Sequence, residues 1–420
     1  MENKFEIIGG AKTTGEIEVN GAKNQALKIL AAVVLASSTV KIENFPFIED
    51  TSRMLELLEE LGAKVKINKI LKMVEVDPQG IVSKKLDDLL VRKLRASILL
   101  AGPLLGKFGQ VEMNHPGGCV IGKRPIDMFI DGFKKLGAKV KWSEDGFCLQ
   151  ASGGRLSGGK YFFPKITVTG TETMMLAAVL AQGETVLENC AMEPEIPTLA
   201  EFLNQCGAKI NGAGTSRIVI NGVSRISGGN FKVIPDRIEA GTFVMMGLLT
   251  GGKLTVKNCI PEHLGAVIPI LEKVGAKLEI GSDFIKTFPS KINAVSITTH
   301  EYPGFATDLQ PPFTLLMTQA KGISVIQETI FEGRLFFTDQ LVTMGADIIM
   351  CDPYRVVISG PRKLYGKSLT SPDLRAGITM VLAGMVAQGK TTIDNIYQID
   401  RGYENIEERL IKVGVKIKRI

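Results

Sequence analysis

Six stretches of eight to twelve almost wholly apolar residues recur along the chain, at 26–37, 96–105, 173–181, 241–249, 313–320 and 376–387. Apolar positions on every side of a helix predict a helix buried all round. Each stretch leads into a turn and a short alternating strand, such as Val-Lys-Ile-Glu-Asn at 40–44 and Thr-Val-Leu-Glu-Asn at 185–189. An amphipathic segment follows. At 51–61 the residues Met54, Leu55, Leu58 and Leu61 fall on one helical face, which predicts a half-exposed second helix. A Gly-Ala-Lys element then places glycine where a helix end favours positive φ, and a β-branched strand comes after it.

That element makes the periodicity explicit. Leu-Gly-Ala-Lys-Val at 61–65 returns unchanged at 136–140, and variants stand at 206–210, 274–278, 344–348 and 413–417. The spacings are 75, 70, 68, 70 and 69 residues, so six units occupy the whole chain. Alternating strands leave one sheet face to solvent while the first helices want burial on all sides. The expected fold class is therefore α/β, with helices inside and sheets outside, built from six βαβαββ-like repeats, three to each of two domains. A linear solenoid would cap its ends with polar units, and these terminal units are not polar. Residues 5–8 and 16–19 read as strands, whereas the last unit runs out of chain before it can form its own. The expectation is that 1–20 joins 236–420 in one lobe and that 21–235 forms the other.

Composition narrows the function without naming it. Fifty basic against 44 acidic side chains give a net charge of +6, compatible with anionic small substrates. No basic run is interleaved with aromatics, and one Trp and six Tyr offer little for stacking bases, so no nucleic acid is expected. No apolar stretch is long enough to cross a bilayer and no signal peptide is evident, so a cytoplasmic protein with no membrane partner is expected. Six Cys without C-x-x-C spacing and only three His make a metal site unexpected, and nothing calls for a cofactor. Most of the cysteines read as core residues, Cys206 among them. The pattern specifies no oligomeric state.

Chemistry is expected where one copy departs from the others. The longest spacing belongs to the second unit, whose turn expands to Asn-His-Pro-Gly-Gly-Cys-Val-Ile-Gly-Lys-Arg-Pro at 114–125. Cys119 sits at the tip with Lys123 and Arg124 behind it, and neighbouring cations favour a reactive thiolate. Other departures are charges at turns: Lys23 and Asn24 before the first buried helix, Arg95 before the second, Arg375 after Asp373 before the sixth. Threonines 167, 169 and 171 surround Gly170 before the third. Cations beside helix N-termini suit phosphate and carboxylate. Asp308, before the fifth buried helix, reads equally as an N-cap or as a catalytic carboxylate. The segments Phe-Glu-Gly-Arg at 331–334 and Asp-Arg-Gly-Tyr-Glu at 400–404 occupy turns equivalent to the Cys119 loop, which suggests one cleft between two lobes. Dinucleotide and P-loop fingerprints and a Ser-His-Asp order are missing from the sequence.

Asn-Gly-Ala-Lys-Asn at 20–24, Pro-Gly-Gly-Cys at 116–119 through Arg124-Pro125, Thr307-Asp308 and Asp-Arg-Gly-Tyr-Glu at 400–404 together resemble the enolpyruvyl transferases. The likeness runs from Gly9 to Ile420 and is strongest to the branch whose acceptor is UDP-N-acetylglucosamine. The shikimate branch lacks the Pro-Gly-Gly-Cys loop. The resemblance implies an inside-out α/β barrel in each of two domains and two small-molecule substrates, phosphoenolpyruvate and UDP-N-acetylglucosamine. It further implies that Lys23, Asn24, Cys119, Arg124 and Arg401 meet phosphoenolpyruvate. Arg95, Arg124, Pro125, Ile126, Asp127, Met128, Lys165, Ile166, Thr167, Val168, Asp308 and Ile330 match positions that hold the UDP-sugar. Cys119 matches the cysteine that adds to phosphoenolpyruvate, is assigned as proton donor and is alkylated by fosfomycin. The catalytic set expected on this basis is Cys119 as acid and Asp308 as base, with Lys23, Arg124 and Arg401 countering developing charge. Thr167-Val-Thr-Gly and Phe129 depart from commoner family forms and bear on nucleotide packing. A nucleotide-sugar-binding regulator and a protein-binding scaffold are the other readings, and neither needs the whole set.

Overall fold

The six apolar stretches all become helix in the computed structural model, which describes residues 4–117, 121–122 and 125–420. They are Lys23–Val33, Ala101–Phe108, Val168–Ala178, Arg237–Thr250, Gln310–Thr318 and Leu374–Val386. The second differs from expectation at its start: Arg95 opens a 3₁₀ segment, Arg95–Leu100, and α geometry begins only at Ala101. All six are buried along nearly their whole length, with each large apolar side chain contributing about 1.5–3 kcal/mol when removed from water. The amphipathic segments form Glu49–Glu60, Asp127–Lys135, Glu195–Gln205, Val267–Val274, Thr338–Thr343 and Ile406–Lys412. Met54, Leu55, Leu58 and Leu61 are buried, as their spacing requires.

Every glycine of the repeated Gly-Ala-Lys element ends its helix in the left-handed region. Gly62, Gly137, Gly207, Gly275, Gly345 and Gly414 have φ between 85° and 109°. At Gly62 a side chain is excluded twice, because an added Cβ would also lie 2.2 Å from the Gly80 carbonyl oxygen.

The described strands form six small sheets, five of four strands and one of three. Within each, the strand after the buried helix has an antiparallel neighbour, as Val40–Glu43 has Met73–Asp77. Five of these strands also take a parallel neighbour from another part of the chain. For Val40–Glu43 it is Asn230–Lys232, and for Leu254–Lys257 it is Gly15–Glu18. Lys4–Ile8 lies antiparallel between Lys390–Asp394 and Lys416–Arg419, completing the sheet of the last repeat. Among the described residues, 4–20, 121–122 and 235–420 make one compact unit, and 21–117 and 125–234 make the other. Each has its own apolar core. No helix among them is long and apolar enough to cross a membrane.

A second recurring device closes the strand after the buried helix. Asn44, Asn189, Asn258 and Asn395 follow it in the first, third, fourth and sixth repeats, each with φ between 52° and 59°. Asparagine tolerates this region better than other side chains. Each side-chain amide donates to a backbone carbonyl in a segment that leads into one of the buried helices, those of Val233, Phe163, Val19 and Ser371 respectively. The asparagine therefore turns the chain and ties it to that segment.

Candidate active site

Asp308 is the best-defined chemical group of the C-terminal unit. It lies in a 3₁₀ turn, Thr307–Leu309, that leads into the fifth buried helix. The N-cap reading is wrong: neither that turn nor helix Gln310–Thr318 has a side-chain cap. Its carboxylate instead accepts from Arg334 Nη2 at 2.8 Å and from Arg375 Nε at 3.0 Å. Both guanidinium side chains are nearly inaccessible, at 3% and 5% exposure, while Asp308 keeps 25%. A buried arginine needs compensating charge, and loss of one partner typically costs about 3–5 kcal/mol. Asp373 supplies more negative charge, 3.9 Å from Arg334, and caps helix Leu374–Val386 through the N–H groups of Arg375 and Ala376. Burial works against the charge of Arg375, but Asp308 and then Tyr403 and Asp236 outweigh it and raise its pKa. The result is a partly exposed carboxylate held by two permanent cations.

Arg334 arrives from the turn after strand Gly322–Gln327. In that turn Gly333 N–H donates to the Ile121 carbonyl at 2.8 Å, and a Cβ on Gly122 would meet the Glu332 carboxylate. Ile121 and Gly122 thus pack beside the peptide that carries Arg334. Cys119, Lys123 and Arg124 themselves lie outside the described residues. Ile330, expected at the UDP-sugar, is half-buried in the same turn. Arg401 ends the short helix Tyr397–Asp400 and donates to Gln398 Oε1 at 3.0 Å.

In the N-terminal unit, Lys23 is the first residue of the first buried helix and forms a 2.8 Å ion pair with Asp50, itself in the first turn of helix Glu49–Glu60. Asn24 beside it and Arg95 are half-buried. Thr167 caps helix Val168–Ala178 by accepting from Gly170 N–H. Ile166 and Val168 are half-buried and Lys165 is exposed. Pro125 and Asp127 are exposed, Met128 is half-buried, and Ile126 is buried at the start of helix Asp127–Lys135.

Three other thiols are unsuited to nucleophilic chemistry. Burial pushes Cys190 up to about 12 and Cys206 and Cys259 up to about 11, so they remain protonated core residues. Cys351 is exposed and Cys148 half-buried, so three of the five described cysteines are core residues. Residue-by-residue reading placed Arg334 and Arg375 at turns but did not join them to Asp308, and it passed over Asp50. The joining pairs residues 26 and 67 positions apart, which no local pattern encodes.

Comparison with known proteins shows the family and the fold. The family model described as EPSP synthase (3-phosphoshikimate 1-carboxyvinyltransferase) matches residues 7–410. The UDP-N-acetylglucosamine 1-carboxyvinyltransferase of Xylella fastidiosa is 43% identical over 424 residues, covering all of both chains. That of Coxiella burnetii is 44% identical over 420 residues, covering all of this chain and 96% of its own. Among solved structures, the enolpyruvyl transferase NikO from Streptomyces tendae superposes with a TM-score of 0.89 at 24% identity, covering 100% of this chain and 99% of its own. EPSP synthase from Acinetobacter baumannii gives 0.76 at 20% identity, covering 99% and 100%. At those identities the two structures speak for the fold, a mixed α/β architecture of many small sheets.

Proposed function

This chain belongs to the EPSP synthase family of carboxyvinyl transferases, and we propose that it transfers the enolpyruvyl group of phosphoenolpyruvate to the 3′-hydroxyl of UDP-N-acetylglucosamine, releasing phosphate. This would be the first committed step of peptidoglycan synthesis. The choice of acceptor is supported by relatives of that name, alike over their full length, and by the Pro-Gly-Gly-Cys loop at 116–119. In its finer form the architecture is an inside-out α/β barrel in each of two domains, three repeats apiece.

The single observation that carries the chemistry is the Asp308 carboxylate held between Arg334 and Arg375. Attack of the acceptor hydroxyl on C2 of phosphoenolpyruvate needs loss of the hydroxyl proton and delivery of a proton to C3. Asp308 takes the first proton as general base, and Cys119 gives the second as general acid. The tetrahedral ketal then loses a proton from C3 as phosphate leaves from C2, which restores the C2–C3 double bond in the product. Arg334 and Arg375, with Lys23, Arg124 and Arg401, counter the negative charge on the phosphate and carboxylate. When an anion takes a share of the two arginines, their hold on Asp308 weakens and it becomes the better base. Asn24 matches the phosphoenolpyruvate site, while Arg95, residues 125–128, residues 165–168 and Ile330 are assigned to the UDP-sugar.

The test is phosphate release from phosphoenolpyruvate with UDP-N-acetylglucosamine or shikimate 3-phosphate as acceptor. Release with the nucleotide sugar alone is expected. Release only with shikimate 3-phosphate would move the chain to the other branch, and none with either would favour a binding protein.

A further inference from the structure

Aligned by the alternating strand that follows the buried helix, the six repeats read Val-Lys-Ile-Glu-Asn, Val-Glu-Met-Asn-His, Thr-Val-Leu-Glu-Asn, Leu-Thr-Val-Lys-Asn, Ser-Val-Ile-Gln-Glu and Thr-Thr-Ile-Asp-Asn. The fifth column holds the four left-handed asparagines, and in the fifth repeat it holds Glu328. Glu328 is not left-handed. Its N–H continues the ladder to the Tyr354 carbonyl at 2.8 Å. In the asparagine repeats one and four the corresponding bond comes one residue later, from Phe45 and Cys259.

The side chain of Glu328 is fully buried, at 0% exposure, and makes contacts the asparagines do not. Oε1 accepts from the N–H groups of Ile330 at 2.8 Å and Phe331 at 3.2 Å. Oε2 accepts from the Thr307 hydroxyl at 2.9 Å. One end of this clamp holds the residue next to Asp308, and the other holds the turn that delivers Arg334. Amide and hydroxyl donors can stabilise a buried carboxylate, but an amide in its place could not accept at both ends.

We infer that Glu328 is a positioning residue for the transfer reaction, setting the distance between Asp308 and Arg334 by clamping Thr307 and the 330–331 peptide groups with one carboxylate. The inference rests on the reading that Asp308 and Arg334 act on substrate. Displacing a catalytic group by about 1 Å can cost about 10²-fold in rate. A fold-only role would instead match that of the asparagines.

The decisive variants are Glu328→Asn, which installs the residue of the other repeats, and Glu328→Gln, which retains length and one acceptor. Phosphate release from phosphoenolpyruvate is measured against each substrate concentration, with urea unfolding run in parallel and Asn258→Ala as the structural control. Glu328→Asn should lower kcat about 10²-fold. Glu328→Gln should recover to within about fivefold of wild type, because it keeps the two peptide contacts. Asn258→Ala should lose stability but not kcat. Should Glu328→Asn fail to fold, Thr307→Val removes the same contact from the other end and should lower kcat in the same direction. An active wild type whose Glu328→Asn or Thr307→Val form turns over normally overturns the inference alone. So does a kcat loss no greater than that of Asn258→Ala at equal loss of stability. A wild type that uses only shikimate 3-phosphate overturns the acceptor, and the variant ratios are then read with that acceptor. A wild type inactive with both overturns the reading and this inference together.

Discussion

Four repeats put asparagine after the strand that follows their buried helix, whereas the second and fifth put His115 and Glu328 there. In the four, the residue reverses the chain in the left-handed region and its amide holds a backbone carbonyl. In the two, the strand runs one residue further: His115 N–H donates to the Asp145 carbonyl as Glu328 N–H does to that of Tyr354. The next segments differ as well. After His115 comes the Gly-rich loop with Cys119, and after Glu328 the turn with Arg334. The same position thus closes the strand in four copies and lets it run on in two. A repeat can be relieved of its closing device where the strand ladder itself carries the chain onward.

The contrast between the two kinds of repeat breaks most visibly at Asp308. Asp308→Asn keeps the size of the side chain but not its basicity, and phosphate release should fall about 10²–10⁴-fold at saturating substrates. A loss below tenfold would remove it as the base. Gly62→Ala tests the shared helix ending: positive φ and the Gly80 carbonyl together should cost about 2–4 kcal/mol. Turnover per folded molecule should be unchanged, read as the urea midpoint against active-site-normalised rate. A smaller effect is expected at Asn258, where Asn258→Ala should cost about 1–2 kcal/mol through one lost hydrogen bond and the left-handed backbone. Asn258→Gly should cost less than Asn258→Ala. The reverse order would mean that the left-handed backbone is not what the position selects.

A pH-dependent effect concerns a carboxyl group buried within the helices rather than at a turn. Burial raises Glu172 to about 8, partly offset by Lys28 at 3.1 Å. A folded chain that keeps this proton, facing an unfolded chain that releases it above about 4.5, loses stability as pH rises from about 4.5 to about 8. Glu172→Gln should lack that contribution. Its urea midpoint relative to wild type should therefore rise between about pH 5 and pH 8. An equal difference at both pH values would show that Glu172 does not titrate there.

Much of the fold was legible because its determinants are local. A helix apolar on all sides has nowhere to go but inward, and a glycine at a helix end is permitted a φ that other residues resist. Six buried helices and six left-handed glycines are the direct result. The 3₁₀ start at Arg95 was not legible, since apolar patterning does not distinguish the two helical geometries over one turn. Glu328 was in view but unread, because its difference shows only when the repeats are aligned by column.

The sequence by itself determined the six-fold periodicity, the buried helices and the cationic turns, for these come from hydrophobicity and backbone sterics within a few residues. It left Asp308 poised between a helix cap and a catalytic group. Only tertiary structure excluded the cap, by bringing Arg334 and Arg375 to its carboxylate from 26 and 67 residues away. Charge pairing acts over a few ångströms in space, and which turns come that close is set by how whole helices pack.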